Sequence, residues 1–387
     1  MSGTEMWALV FDRTHDDWEG SKGLRKVRVP RPVLDETSEL NDADATILRV
    51  RYTGFCGSDR GIWFRNSFKS MIFESLNSEN KDYRVVGHEL IGEVAEVGSN
   101  VNQRFGVNIG DTVSAESHIT CGQCRQCKRG DQHVCENEKI IGFSRDGCFA
   151  EYIKLPAGVL WATDPKKIDP MVGAIQEPFG NAVHASTKVD LKGKSVAVFG
   201  TGSIGLFTIL TARALGASKI IGVEPLEENA RLAEKMGVDE IVRFEPNRES
   251  WRHHPDVVKA VRRFGGNGVD VAFEMAGFNS SVNNAIRSVD QGGDVILFGI
   301  KSGDFQIEDF SKLIVRGVSM HSVIGRQIFA TWDTTRKLLE DKSNNIHDRI
   351  LEVILKNGKD TVVHIDNYDV EDFEKRIVTH PKVLIEW

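Results

Sequence analysis

The stretch Ser195–Glu224, SVAVFGTGSIGLFTILTARALGASKIIGVE, limits the possible folds more than any other part of this 387-residue chain. Ser195 to Phe199 is an apolar run long enough for a buried strand and too short for a helix. It stops at Gly200-Thr-Gly202-Ser-Ile204-Gly205. An apolar segment from Ile204 to Leu215 follows, closed by Gly216 as a helix C-terminus would be. A second apolar run, Lys219 to Val223, ends at Glu224. Strand, tight turn, helix and strand in this order predict an open parallel sheet with helices on its faces.

Each glycine of the turn has a task. Gly200 permits the sharp exit from the strand, Gly202 lets a pyrophosphate approach the backbone, and Gly205 lets the helix pack closely on the sheet. The free N–H groups at the helix start then face the phosphate charge. Glu224 falls about 20 residues beyond the motif and can accept hydrogen bonds from a ribose diol. A carboxylate there repels a 2′-phosphate, which favours NAD over NADP. The alternative is a tight turn in an α/β protein that binds nothing.

The length predicts about two domains and a large core. Acidic residues outnumber basic ones, 56 to 49, and the net charge of −7 counts against nucleic acid as a partner. The N-terminus carries acids early and lacks a long apolar core, so no signal peptide is expected. No run is long enough to span a bilayer. A cytosolic protein with no membrane partner is the expectation. Its six cysteines then read as metal ligands or buried thiols rather than disulfides.

Met6–Phe11, Lys26–Val29 and Ala45–Tyr52 predict short strands, and Asp12–Gly20 a charged surface loop. Arg60–Arg84 reads as an irregular connection: a lid, an oligomer contact or a plain surface loop. Gly87-His88-Glu89-Leu-Ile-Gly92 opens another strand, and Asn108–Val113 a turn into the next. Small strands with glycine-rich turns predict a compact β domain. Beyond Glu224 the α/β alternation continues: helix Glu227–Met236, strand Glu240–Phe244, helix Pro255–Phe264, then strands Val269–Glu274 and Asp294–Gly299. Phe329–Leu339 reads as a helix and Val383–Trp387 as a last strand.

Cys121, Cys124, Cys127 and Cys135 lie close enough in sequence to surround one ion. Four thiolates can hold a tetrahedral Zn²⁺ with no open position, a structural staple for a loop. An iron–sulfur cluster or free thiols are the alternatives. Cys148 stands outside the set and reads as a buried apolar thiol. Cys56, His88 and Glu89 offer a thiolate, an imidazole and a carboxylate from two loops. Together they make a plausible three-ligand zinc site with one open position.

Gly87-His88-Glu89 with Gly92, the four-cysteine lobe and the GTGSIG turn, in this order, resemble the zinc-dependent medium-chain alcohol dehydrogenase superfamily. The match covers nearly the whole chain. Three stretches are most similar to the L-threonine 3-dehydrogenases within it: Glu116–Cys124, Glu177–His184 and Ile324–Trp332. The resemblance implies an α/β fold class. A GroES-like β-rich catalytic domain (1–172 with 322–387) would join a Rossmann doubly wound parallel-sheet NAD-binding domain (173–321), with the active site in the cleft. It also implies a homo-oligomer, a tetramer or a dimer. The implied chemistry is hydride transfer from a small-molecule secondary alcohol to NAD, with one catalytic and one structural Zn²⁺ per chain.

Residue-by-residue matching implies further roles. Glu177 would lie near the metal, as an exchanging ligand, a proton relay or simply a hydrogen-bonding carboxylate. Ser58 would pass the hydroxyl proton outward. His118 matches a position tied to threonine recognition; otherwise it is a hydrogen-bonded loop histidine. Cofactor contacts would fall on Gly200, Gly202, Ile204, Gly205, Glu224, Phe298, Gly299, Ile300, Val323 and Ile324. Two positions depart from the pattern. Gly61 stands where the relay histidine is usual, as in archaeal-type glucose dehydrogenases, and Asn229 replaces a basic residue beyond Glu224. Asp59-Arg60, Gly61 and the unusual connection to Arg84 make a polyol or sugar dehydrogenase (sorbitol, glucose or inositol-type substrates) the enzyme alternative. A non-catalytic NAD-binding protein is an alternative of another class.

Overall fold

Alternating apolar residues in the N-terminal part of the chain form antiparallel strands, and the central part forms a parallel sheet. The computed structural model describes residues 4–37, 41–247, 250–300 and 303–387. The N-terminal strands are β1 (Glu5–Asp12), β2 (Arg25–Pro30), β3 (Ala45–Phe55), β4 (Tyr83–Val85) and β5 (Glu89–Val97). They continue as β6 (Thr112–Ala115), β7 (His118–Ile119), β8 (Lys139–Ile140), β9 (Tyr152–Pro156) and β10 (Leu160–Ala162). The central strands are β11 (Ser195–Phe199), β12 (Lys219–Val223), β13 (Glu240–Val242), β14 (Val269–Glu274), β15 (Val289–Leu297) and β16 (Ser319–Ser322). The last two are β17 (Val362–His364) and β18 (Val383–Glu386).

Two compact units result, Met1–Pro178 with Ile350–Trp387, and Phe179–Arg349. They divide after Pro178 and after Arg349, against the expected divisions after 172 and 321. Residues just beyond 322 are tied to the second unit by short contacts. The Gly325 carbonyl lies 2.9 Å from His184 Nδ1. A Cβ at Gly180 would come within 2.6 Å of Arg326 Cδ, so this glycine makes room for a buried arginine.

In the first unit a seven-stranded sheet runs β10-β6-β5-β3-β18-β17, with β9 also paired to β3, beside a three-stranded sheet β2-β1-β4 and the hairpin β7-β8. β3 is central. Along one edge it pairs with β5. Along the other its first half meets β9 and its second half meets β18, all antiparallel. Phe55, the last residue of β3, is packed by the Trp63, Phe149 and Phe373 rings at centroid distances of 5.8, 5.9 and 5.2 Å. Aromatic burial of this size fixes the end of β3 and hence the residue that follows it, Cys56.

Arg60–Arg84 is not an irregular connection. Helices Gly57–Trp63 and Lys69–Glu79 occupy much of it. Ile72 and Leu76, four residues apart, are buried on the second helix. Its contiguous Met71-Ile-Phe73 run blurs the helical period in the sequence.

In the second unit the six parallel strands run β13-β12-β11-β14-β15-β16. The apolar runs of β11 and β12 are almost wholly buried, as strands covered on both faces must be. Helix Ser203–Ala214 starts directly after the glycine turn, and a Cβ at Gly205 would collide with the Gly200 carbonyl. The strand order reverses between β11 and β14, the place where open α/β sheets form a ligand crevice.

Candidate metal and dinucleotide sites

Strand register assembles the first site. Gly54 of β3 lies opposite Glu89 of β5, so Cys56, just past the end of β3, and His88, just before β5, share one end of the sheet. Gly87 adopts a φ of +92° and packs against the Phe149 ring, which turns the chain so that His88 is delivered there. The ligand atoms of Cys56, His88 and Glu89 lie within 4.8 Å of one another, near enough to converge on a single ion.

Asp59 braces this trio. Fully buried, it accepts a hydrogen bond from the Cys56 N–H at 2.9 Å, and its other oxygen lies 3.3 Å from His88 Nδ1. Nε2 is thereby left for a metal, with Ser58 Oγ 3.5 Å from it. Burial drives the His88 pKa down, but Asp59 and Cys56 drive it up further, so it stands well above the usual imidazole value. A metal entering here displaces that proton.

Lys382 precedes β18, whose register with β3 (Val383 opposite Phe55) brings it to the same end of the sheet. Its Nζ donates to both Glu89 oxygens, at 2.8 and 2.9 Å, and to the Phe55 carbonyl at 3.3 Å. Burial favours the neutral amine, yet Glu89 and then Cys56 raise its pKa above the lysine norm, so the ammonium stays charged. Gly54 makes the pair possible, because a Cβ there would collide with Glu89 Oε2.

Ser117 donates to Glu177 Oε1 at 2.8 Å, and both are buried. His118, on β7, lies with Nδ1 3.4 Å from Glu138 Oε2. Burial, then the charge of Glu116, push the Glu138 carboxyl above its usual range. The Gly61 position is closed: a Cβ there would stand 3.0 Å from Ser67 Cβ and 3.2 Å from Ser67 Oγ. Cys148 is fully buried with its thiol 3.4 Å from the Glu89 carbonyl.

Cys121, Cys124, Cys127 and Cys135 converge, with sulfur–sulfur distances of 3.9 Å (Cys124–Cys135) and 3.5 Å (Cys135–Cys121). Zn–S bonds near 2.3 Å in a tetrahedron imply a separation of about 3.8 Å. Backbone N–H groups of Gln123 and Cys124 point at Cys121 Sγ at 3.5 and 3.3 Å and lower its pKa to about 6. Burial pushes Cys127 up to about 12. The four sulfurs converge as ligands of one ion would, and zinc, which binds them as thiolates, fits.

In the second unit, open space surrounds the position of a Cβ at Gly202, which N-caps helix Ser203–Ala214. No acidic residue occupies the first turn of that helix, so an anion is met by N–H groups alone. Glu224 is buried and accepts from the Thr201 N–H at 2.8 Å, the Thr201 hydroxyl at 3.3 Å and the Leu226 N–H at 3.0 Å. It therefore braces the glycine turn. Phe298, Gly299 and Ile300 follow β15, and Val323 and Ile324 follow β16, so all five lie at carboxyl ends of the parallel sheet. This surface fits a dinucleotide.

Sequence reasoning missed Asp59, Glu138 and Lys382. Asp59 could have been found from its place three residues after Cys56, as an N-terminal helical carboxylate. Nothing in the local sequence of Lys382 distinguishes it.

Known proteins resemble this chain in sequence and in fold. The family model described as "Alcohol dehydrogenase GroES-like domain" matches residues 42–165, and that described as "Zinc-binding dehydrogenase" matches 203–341. The chain is 36% identical to an L-threonine 3-dehydrogenase of Caldanaerobacter subterraneus, over 77% of this chain and 80% of that one. It is 38% identical to an L-threonine 3-dehydrogenase of Pyrococcus furiosus, over 84% and 85%. The solved 2R,3R-butanediol dehydrogenase of Bacillus subtilis shares the fold, with a TM-score of 0.78, 24% identity and 99% of each chain covered. The chain belongs to the zinc-dependent medium-chain alcohol dehydrogenase superfamily, whose members carry an NAD-type cofactor and zinc.

Proposed function

We propose that the chain oxidises the 3-hydroxyl of L-threonine with NAD, giving 2-amino-3-oxobutanoate, NADH and a proton. The observation that carries this reading is the trio Cys56, His88 and Glu89 at one end of β3 and β5, in a chain 36–38% identical to L-threonine 3-dehydrogenases. When bound, zinc supplies the positive charge that makes an alcohol hydroxyl acidic, and NAD accepts the hydride.

The chain's own residues do the rest. Cys56, His88 and Glu89 hold the metal, and Asp59 fixes the His88 ring. Ser58 takes up the hydroxyl proton and hands it outward; with Gly61 in the relay position, solvent is the next acceptor. Glu177, oriented by Ser117, is the carboxylate that assists proton release. Glu138, its Oε2 3.4 Å from His118 Nδ1, offers a carboxylate to the substrate's ammonium group, and His118 holds it in place. In the second unit, Gly200, Gly202, Ile204 and Gly205 take the pyrophosphate, Glu224 takes the ribose diol, and Phe298–Ile300 with Val323 and Ile324 border the crevice.

Gly61 favours a second reading, a polyol or sugar dehydrogenase. Turnover of L-threonine, sorbitol, glucose and inositol at fixed NAD decides between them. Threonine is expected to give the highest kcat/KM, and no turnover of threonine would discard the first reading.

The reading includes a homo-oligomer, tetramer or dimer, in the cytosol. Edge strand β16, with Met320 exposed, and helix Phe310–Val315, which buries no residue, support self-association. No helix among the described residues is long and apolar enough to cross a membrane.

A further inference from the structure

Glu274 closes β14, beside the point where the strand order reverses. Its side chain is fully buried. Oε1 accepts from the Ala276 N–H and the Gly277 N–H, each at 3.0 Å, and Oε2 accepts from the Gly277 N–H at 3.2 Å. Ser281 adds a hydroxyl donor. No charged side chain of β11, β15 or helix Asn279–Ser288 adds to its field among the described residues, so neutral donors alone hold this carboxylate. A buried carboxylate with no cation is costly and calls for a reason.

The turn it grips is the reason. A Cβ at Gly200 would stand 2.8 Å from Ala276 Cβ and 3.1 Å from its N, so the turn presses against the first glycine of the pyrophosphate loop. A Cβ at Gly277 would stand 2.7 Å from the Ile300 carbonyl oxygen, and one at Gly299 would stand 2.7 Å from Glu274 Oε2. The Phe298 and Gly299 N–H groups both donate to the Glu274 carbonyl at 3.0 Å. One residue thus fastens, with its backbone and its side chain, the two segments that border the crevice. Gly277, at a φ of +74°, has the free N–H that both oxygens reach.

We propose that Glu274 is a positioning residue of the dinucleotide site: its ionised carboxylate clamps the 275–278 turn against Gly200 and against Gly299–Ile300, and so shapes the crevice for NAD. The proposal rests on the dinucleotide reading above. Burial raises this carboxyl to about 7, so it changes charge across the neutral range. Protonation loosens the clamp, because a neutral acid makes weaker acceptor bonds and carries a donor that faces the Gly277 N–H. Glu274→Gln imposes the same state permanently.

The test is NAD binding by calorimetry between pH 6 and 8, on the wild type, Glu274→Gln and Glu274→Asp. In the wild type, affinity is expected to fall about fivefold from pH 8 to pH 6, as the ionised form gives way to a neutral form that binds about tenfold more weakly. Glu274→Gln is expected to bind about tenfold more weakly at pH 8, with a flat pH profile. Glu274→Asp, which keeps the charge, should restore a pH-dependent profile. Wild-type affinity for Glu274→Gln at pH 8, or a pH profile it shares with the wild type, would overturn the proposal. Should Glu274→Gln fail to fold, a wild-type affinity that is constant from pH 6 to 8 would overturn it. A wild type that binds no NAD would instead overturn the dinucleotide reading.

Discussion

Lys382 donates to both carboxylate oxygens of Glu89, at 2.8 and 2.9 Å, across 293 residues of sequence and with essentially no exposure of either side chain. Removing one member leaves the other charged and unpaired in the core, which typically costs about 3–5 kcal/mol. Lys382→Met is therefore expected to lower the melting temperature sharply. The double variant Lys382→Met, Glu89→Gln should recover most of the loss. Thermal melts of the four proteins in the cycle check this, and strict additivity would contradict the pairing.

Gly54 is the condition for that pair. Gly54→Ala places a Cβ against Glu89 Oε2 between two hydrogen-bonded neighbours, β5 and β18, where neither strand can yield. Overpacking here is expected to cost about 3 kcal/mol, read as a shift of the denaturation midpoint at constant m-value. An unchanged midpoint would mean that the carboxylate moves aside freely.

Asp59 orients His88 and touches no substrate in this account. Partners that orient a ligand typically contribute 10- to 100-fold in metal affinity. Asp59→Asn is expected to weaken zinc retention in a chelator competition by about that factor, while the four-cysteine lobe keeps its ion. Equal loss from both sites would point to general unfolding instead.

Stability should also depend on pH through Glu274. Its folded pKa, about 7, stands above the ordinary carboxyl value of 4.5 because burial penalises the charge. The folded state therefore holds the proton more tightly than the unfolded one. The resulting stabilisation is complete below about pH 4.5 and is lost as pH rises through 7. At 1.36 kcal/mol per unit the loss is about 3 kcal/mol. Glu274→Gln should remove this dependence, so its stability relative to the wild type rises between pH 5 and 8. Parallel urea midpoints for the two proteins over that range would contradict the assignment.

Local signals were legible where one short segment carries the whole pattern. Lys219–Val223, Glu227–Met236 and Val269–Glu274 have the expected limits, because each is a single apolar run or a strong amphipathic period. The four-cysteine lobe could be read from spacing alone. Residues acting through tertiary register were not legible. Lys382 reaches Glu89 only because β18 pairs with β3 in one register, which no local pattern encodes. Glu274 reads as the last residue of a buried strand, and its grip on the next turn depends on a φ of +74° at Gly277. Helix Lys69–Glu79 escaped notice because adjacent apolar residues mask its buried positions.

In the proposed mechanism Cys56, His88 and Glu89 hold an ion distinct from the one in the cysteine lobe. Elemental analysis of the purified chain tests it most directly. Two zincs per chain are expected in the wild type, and one in His88→Ala together with loss of turnover. A single zinc in the active wild type, or two in His88→Ala, would contradict it.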